Sequence, residues 1–236
     1  MDLTSQALLA AQFKAEALFR EVVERDMVSA GKLESELTAQ IHALAQSRFE
    51  LRRHWHKRIA RSGPNTLLTY HDEGADRRIT EDDIVYLDFG PVFDAWEADF
   101  GRTFVLGADP TKHRLVGDLA KAFSSGKELY RRSPDLTAGQ LYDHVAALAA
   151  AYGWEFGART AGHLIGHFPH ERRPQDPAHF SIRHANPMAL REPDETGVKR
   201  HWILEIHFID RAREIGGFYE ELLTVDARDA DPHLAG

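Results

Sequence analysis

The chain has 236 residues, with 37 Asp and Glu against 29 Lys and Arg, 14 histidines, no cysteine and a formal charge of -8. Its length suits one large domain or two small ones, and the absence of cysteine excludes disulfide scaffolds, thiolate zinc sites, iron–sulfur clusters and cysteine nucleophiles, leaving oxygen and imidazole chemistry. The acidic excess argues against a nucleic-acid binder, and with no basic region leading into an apolar run and no stretch of about 18 apolar residues, neither a leader nor a membrane span is expected and a soluble cytoplasmic protein is.

The apolar spacing of Leu8, Leu9, Phe13, Ala17, Leu18, Val22 and Val23 predicts a helix from Leu3 to Val28, with Thr4 or Ser5 as cap and Gly31 beyond its end. A second helix is expected from Leu33 to Phe49, carried by Leu33, Leu37, Ile41, Leu44 and Ala45. The texture then changes. Trp55 to Ala60, Thr66 to His71, Ile84 to Phe93 and Trp96 to Leu106 cluster β-branched and aromatic residues between Gly, Pro, Asn and Asp breaks, and read as strands. Helical patterns return at Lys112 to Arg132 and at Thr137 to Tyr152, where Thr137 and Gln140 resemble a capping box. A polar, Pro-containing loop from Arg172 to Val198 precedes two strand-like runs, His201 to Asp210 and Gly217 to Asp226. Helices, strands, helices, strands predicts an α+β fold in which helices cover one face of a largely antiparallel sheet.

Acidic residues inside apolar strands are the anomaly, because a buried carboxylate is costly unless paired or bound to a cation. Asp88 lies in Ile84-Val85-Tyr86-Leu87-Asp88-Phe89, and Asp99 leads into Phe100-Gly101-Arg102-Thr103-Phe104-Val105. A hairpin turning at Phe93-Asp94 sets these two carboxylates opposite each other on one face, where like charges call for a cation between them. A second hairpin, centred on Ala212-Arg213, does the same for Glu205 and Glu220. Between the hairpins lies Ala161-Gly162-His163-Leu164-Ile165-Gly166-His167-Phe168-Pro169-His170-Glu171, which offers imidazoles beside small residues. Four carboxylates and one imidazole balance two divalent cations, and such a hard set suits Mn²⁺, Fe²⁺, Co²⁺ or Zn²⁺. Taken singly, each element has a plainer explanation: a hairpin-end Asp, a solvated Glu220-Glu221 face, a histidine-containing loop. The joint pattern of two carboxylate hairpins around a Gly-flanked histidine favours the metal reading.

These residues resemble the "pita-bread" metallopeptidases: methionine aminopeptidase, aminopeptidase P, prolidase and creatinase. In that family the ligands run Asp, Asp, His, Glu, Glu, with the first two spaced as Asp88 and Asp99 are. Gly162-His163-Leu164-Ile165-Gly166 resembles its Gly-His-x-Ile-Gly motif, which makes His163 the expected ligand. His170-Glu171 resembles the following His-Glu pair, whose histidine contacts substrate, and His71, after Gly63-Pro64-Asn65, resembles the upstream substrate-binding histidine. Leu204-Glu205 and Tyr219-Glu220 match the two glutamate strands. The likeness spans about residues 10 to 226 and implies a single catalytic domain over 1–236, with N-terminal helices in 1–50 and the metal-binding core in 51–226. Three departures stand out. Ile206 and then His207 follow the first glutamate, where the family usually has proline. Phe218 replaces the arginine that aminopeptidase P and prolidase carry two residues before the final glutamate. The chain is also too short for the extra amino-terminal domain of those enzymes, and in domain content it is closer to methionine aminopeptidase.

The resemblance implies a dinuclear metal-dependent hydrolase that cleaves a short peptide, or another small amide, by a hydroxide bridging the two ions. Glu205 is the expected proton shuttle, with His170 and His71 holding the substrate, and His54, His56 and His207 are candidates for the pocket wall. A creatinase-like enzyme cutting a C–N bond in a non-peptide molecule, and a non-catalytic binding module, are the alternatives. No nucleic-acid or membrane partner is expected, and a homodimer is a family-level expectation.

Overall fold

A computed structural model describes residues 1–169 and 180–225 of the chain. Helix α1 (Leu3–Glu24) is capped by Asp2, whose carboxylate accepts from the Ser5 N–H at 2.7 Å, two or three residues ahead of the expected Thr4 or Ser5 cap. It buries Leu8, Leu9, Ala11, Ala15, Leu18, Phe19 and Val22 and leaves Phe13 and Val23 exposed. Each fully buried leucine, Leu18 for example, contributes roughly 1.5–3 kcal/mol. Helix α2 (Glu34–Phe49) starts where the Glu36 carboxylate takes the Leu33 N–H at 2.8 Å, and it ends at Glu50 in the left-handed region.

The next segment departs from the expected strands. Strand β1 (Ile59–Ser62) starts only after Trp55 and His56, and Gly63–Leu67 is a 3₁₀ turn begun by Pro64, whose fixed φ suits that position. Strands β2 (Ile84–Phe89), β3 (Val92–Phe93), β4 (Trp96–Glu97) and β5 (Phe100–Val105) then form one long hairpin. Its tip is Asp94-Ala95, both at positive φ, one residue later than expected. A two-residue turn of this kind needs positive φ at both positions. Phe93 is instead buried and packs edge-on against Phe49, so the turn moves on to small and polar residues.

Helices α3 (Pro110–Arg132) and α4 (Ala138–Tyr152) follow, α4 opening with the Thr137/Gln140 capping box and closing on Gly153 at φ +82°. Two short strands, β6 (Glu155–Phe156) and β7 (Leu164–Ile165), lead to the long hairpin of β8 (His201–Asp210) and β9 (Ile215–Leu222). All pairings are antiparallel, in the order β1-β2-β5-β9-β8-β6, with β7 also on β8 and β3 and β4 paired with each other.

Alternation along the strands separates two faces. Val85, Leu87, Phe89 and Phe100 pack with α1 and α2, while Trp202, Leu204, Ile206 and Phe208 pack with α3 and α4. Arg102 is the partner of Leu87, Glu221 is the partner of Leu204, and the two charged groups form an ion pair. Partners in register share a face, so both helix pairs cover the same side of the sheet. The opposite side, carrying Tyr86, Asp88, Gly101, Glu205, His207, Phe218 and Glu220, is left to form a floor. Among the described residues no helix is long and apolar enough to cross a membrane.

Candidate metal centre

One row of the sheet carries most of the acidic groups. Asp88 pairs with Gly101, Gly101 with Glu220, and Glu220 with Glu205, so three carboxylates and one glycine lie in line across β2, β5, β9 and β8. Glu205 and Glu220 are direct cross-strand partners, as the sequence predicts. Asp88 and Asp99 are not: the later turn makes Gly101 the partner of Asp88, with Asp99 two residues before it. A shift of two keeps Asp99 on the same face, so the pair becomes diagonal without losing its common direction. Gly101 keeps the middle of the row open. A Cβ there would lie 2.5 Å from the Phe218 ring and 3.1 Å from the Glu220 Cβ.

His163 enters from the side through a close backbone approach. Gly162, at φ +132°, lies so near β8 that a Cβ would sit 2.0 Å from the Ile203 carbonyl oxygen, which only glycine accommodates. The His163 Nδ1 donates to its neighbour's carbonyl, Leu164 O, at 2.7 Å, and Nε2 lies 3.1 Å from Asp99 Oδ2 and 3.4 Å from Glu205 Oε1. His56 reaches the same cluster from the segment before β1. Its Nε2 is 3.0 Å from Asp99 Oδ1 and 3.5 Å from Asp88 Oδ1. The sequence places His56 only among candidates for the pocket wall, because nothing in its spacing from Asp88 marks it as facing the carboxylates.

Burial sets the protonation of the cluster. It pushes Asp88 and Glu205 each up to about 7, against the pull of His56 on Asp88 and of His163 on Glu205. Burial also raises Glu220 well above the usual carboxylate range, and Asp99 and Asp88 add to the effect. Asp99 is the exception. Burial would raise it too, but His56 and His163 outweigh that and hold it at about 2. The two rings respond in turn: burial disfavours their charged forms, yet the carboxylates lift His56 to about 10 and His163 to about 9.

The donor set fits hard divalent cations. Glu220 is 2% exposed, and its Oε2 has no hydrogen-bond partner, a costly arrangement unless something positive meets it. The candidate ligand atoms of Asp99, His163 and Glu220 all lie within 4.8 Å of one another, and so do those of His56, Asp88 and Asp99. Asp99 belongs to both groups.

Two of the other candidates, His71 and His207, stand beside the cluster. His71 is exposed on the rim of a cavity of about 1130 Å³ that opens over the carboxylates, its ring edge-on to Tyr70. His170 lies outside the described residues. His207 lines the cavity wall: its Nε2 donates to Thr66 O at 2.9 Å, its ring packs edge-on to Tyr86 and Phe218, and burial lowers it to about 4, so it stays neutral. Phe218, in the place of the expected arginine, packs with Ile59 and Tyr86 as an apolar wall. Ile206, in the place of the expected proline, points away into the α3/α4 core. His54, expected in the pocket wall, instead faces His42 at 3.3 Å, away from that cavity.

An α+β fold with a carboxylate row and inward-turned imidazoles on its open face defines a candidate site for hard metal ions. The sequence signature of metallopeptidase family M24 matches residues 6–197, and the chain belongs to that family. The match holds Asp88, Asp99 and His163 and stops short of Glu205 and Glu220. The Xaa-Pro dipeptidase of Pyrococcus horikoshii is 27% identical over 145 residues, which cover 61% of this chain and 40% of that protein. That of Pyrococcus furiosus is 26% identical over 145 residues, covering 61% and 41%. The chain thus spans about two-fifths of the length of the curated relatives it matches. Prolidase from Pyrococcus furiosus is a structural neighbour with a TM-score of 0.73 at 20% identity, covering 96% of this chain and 62% of that one. An Xaa-Pro dipeptidase from Bacillus anthracis gives 0.74 at 18%, covering 97% and 59%. The fold is the pita-bread fold expected from the sequence.

Proposed function

We propose that the chain is a dinuclear metal-dependent peptidase, an aminopeptidase or Xaa-Pro-type peptidase acting on short peptides, with 1–236 as one catalytic domain. One observation carries the reading: Asp99 turns one oxygen toward the His56/Asp88 side and the other toward the His163/Glu205 side, the posture of a ligand shared by two ions. Asp88, Asp99, His163, Glu205 and Glu220 are the ligands in this reading. Two divalent ions, when bound, would polarise the scissile carbonyl and lower the pKa of water. The role of Glu205 follows from its position on the cavity side of the row and its carboxyl raised to about 7. A group poised there takes a proton from the attacking water and passes it to the leaving nitrogen as the C–N bond breaks. His71, on the rim, and His170 orient the substrate. The names of the relatives favour a peptide with proline on one side of the cut bond.

A second reading keeps the cluster and changes the substrate to a non-peptide C–N compound. The apolar wall of Ile59, Tyr86 and Phe218, standing where aminopeptidase P and prolidase place an arginine, favours it. Purified protein reconstituted with Mn²⁺ or Co²⁺ and assayed on a dipeptide and amide panel tests the first reading. Hydrolysis of at least one member, lost in Glu205→Ala, is expected, and activity unaffected by that change refutes the assignment. Metabolite profiling with the same enzyme separates the two substrate classes.

A further inference from the structure

We infer that His56 is an additional metal ligand, an imidazole on the Asp88/Asp99 side of the cluster that answers His163 on the other. The inference rests on the dinuclear reading and adds a sixth protein ligand to it. The two histidines are held alike. His56 Nδ1 donates to the carbonyl of the next residue, Lys57 O, at 2.6 Å, just as His163 Nδ1 donates to Leu164 O at 2.7 Å. A carbonyl only accepts, so in each ring Nδ1 carries a hydrogen and Nε2 is the nitrogen left facing the carboxylates, where giving up its proton would free a lone pair for an ion. This is the usual support of a metal-bound histidine, whose second ring nitrogen is anchored on a carbonyl or carboxylate.

The spacing also fits. His56 Nε2 is 3.0 Å from Asp99 Oδ1 and 3.5 Å from Asp88 Oδ1, while His163 Nε2 is 3.1 Å from Asp99 Oδ2. Neighbouring ligand atoms around an ion with bonds of about 2.1 Å stand roughly 3.0 Å apart in octahedral geometry and 3.4 Å in tetrahedral geometry. The His56 side chain is 5% exposed, and its place is built for it. A Cβ on Gly90 would lie 2.1 Å from the His56 Cδ2 and 2.4 Å from its Nε2, so any larger residue would push the ring out of the cluster. Trp55, which donates to Ala98 O at 3.1 Å, stands edge-on to both imidazoles, with centroids 4.4 Å from His56 and 5.2 Å from His163. An imidazole wall of a substrate pocket needs no such seat.

Proton NMR of the Co²⁺-loaded wild-type protein tests this without relying on any variant to fold. Each coordinated ring contributes one strongly shifted, solvent-exchangeable N–H resonance, so two are expected, from the Nδ1–H of His56 and of His163. His56→Gln should remove one and weaken one metal equivalent by more than about 100-fold in chelator competition, beyond the 10- to 100-fold typical of an outer-shell partner. A single exchangeable resonance in the wild type, or two that persist in His56→Gln, overturns the inference. Failure of the dinuclear reading is a separate result: fewer than two equivalents bound by the wild type in metal analysis, whatever the resonance count.

Discussion

Glu220→Gln separates the role of this side chain in the fold from its role at the proposed metal site. Glu220 is buried at 2% exposure, hydrogen-bonds Asp99, and leaves Oε2 without a partner. Its pKa is raised well above the ordinary range, chiefly by burial, which favours the neutral acid when no cation is present. Gln has nearly the same shape and can still donate toward Asp99, so in excess chelator the variant should match wild-type stability to within about 0.5 kcal/mol. With a cation the two diverge, because Gln supplies no charge to either ion. Ligand at one hundred times its dissociation constant stabilises the native state by about 2.7 kcal/mol. At about 2–4 °C per kcal/mol for a chain of this size, the wild type should gain roughly 5–11 °C in Tm. Thermal unfolding followed by circular dichroism, in chelator and then in Mn²⁺ or Co²⁺, measures both quantities. The variant should keep its chelator Tm and lose more than half of the metal increment. A loss above 2 kcal/mol in chelator, or an undiminished increment, would refute the reasoning.

Asp99→Asn should behave in the opposite way. Asp99 is ionised, held at about 2 between His56 and His163, so removing its charge strands the buried imidazole of His56 and the partly buried one of His163 and should cost about 3–5 kcal/mol in urea unfolding even without metal. His201 offers a test away from the cluster. It is 2% exposed, sits 3.0 Å from Thr224 Oγ1 and is lowered by burial from 6.5 to about 4. A depressed pKa means that its contribution of roughly 3 kcal/mol is complete above pH 6.5 and is lost as the pH falls toward 4. Urea titrations at stepped pH should show that loss, and His201→Gln should flatten it.

Uninterrupted pairing makes a register legible, and local packing obscures it. In the β8–β9 hairpin the polar run around Ala212-Arg213 admits one turn, and Glu205 faces Glu220 as the alternation predicts. In the β2–β5 hairpin the burial of Phe93 moves the turn by one residue and the pairing by two, an effect that no pattern of polar and apolar residues encodes. Thr66 to His71 has a strand's composition, yet Pro64 and the demands of His207 and Gly216, which both donate to Thr66, fold its start into a 3₁₀ turn. His56 escapes sequence reading for a related reason. It belongs to no periodic element, and only the clearance over Gly90 shows where its ring goes.

The electrostatics of the cluster bear on why it exists. Asp88, raised from 3.8 to about 7, needs about 4 kcal/mol more to ionise here than in water, and Glu205 and Glu220 are displaced in the same direction. Apolar residues of similar size would suit this sheet face better on stability grounds, as buried charge networks in general can be replaced at a gain. The glycines argue the same way. Gly101 leaves the middle of the row open, Gly90 clears the seat of His56, and Gly162 lets His163 approach, each giving up side-chain packing at a buried position. A fold that accepts these losses at neighbouring positions, all directed into one cavity, is shaped by what enters that cavity rather than by its own stability.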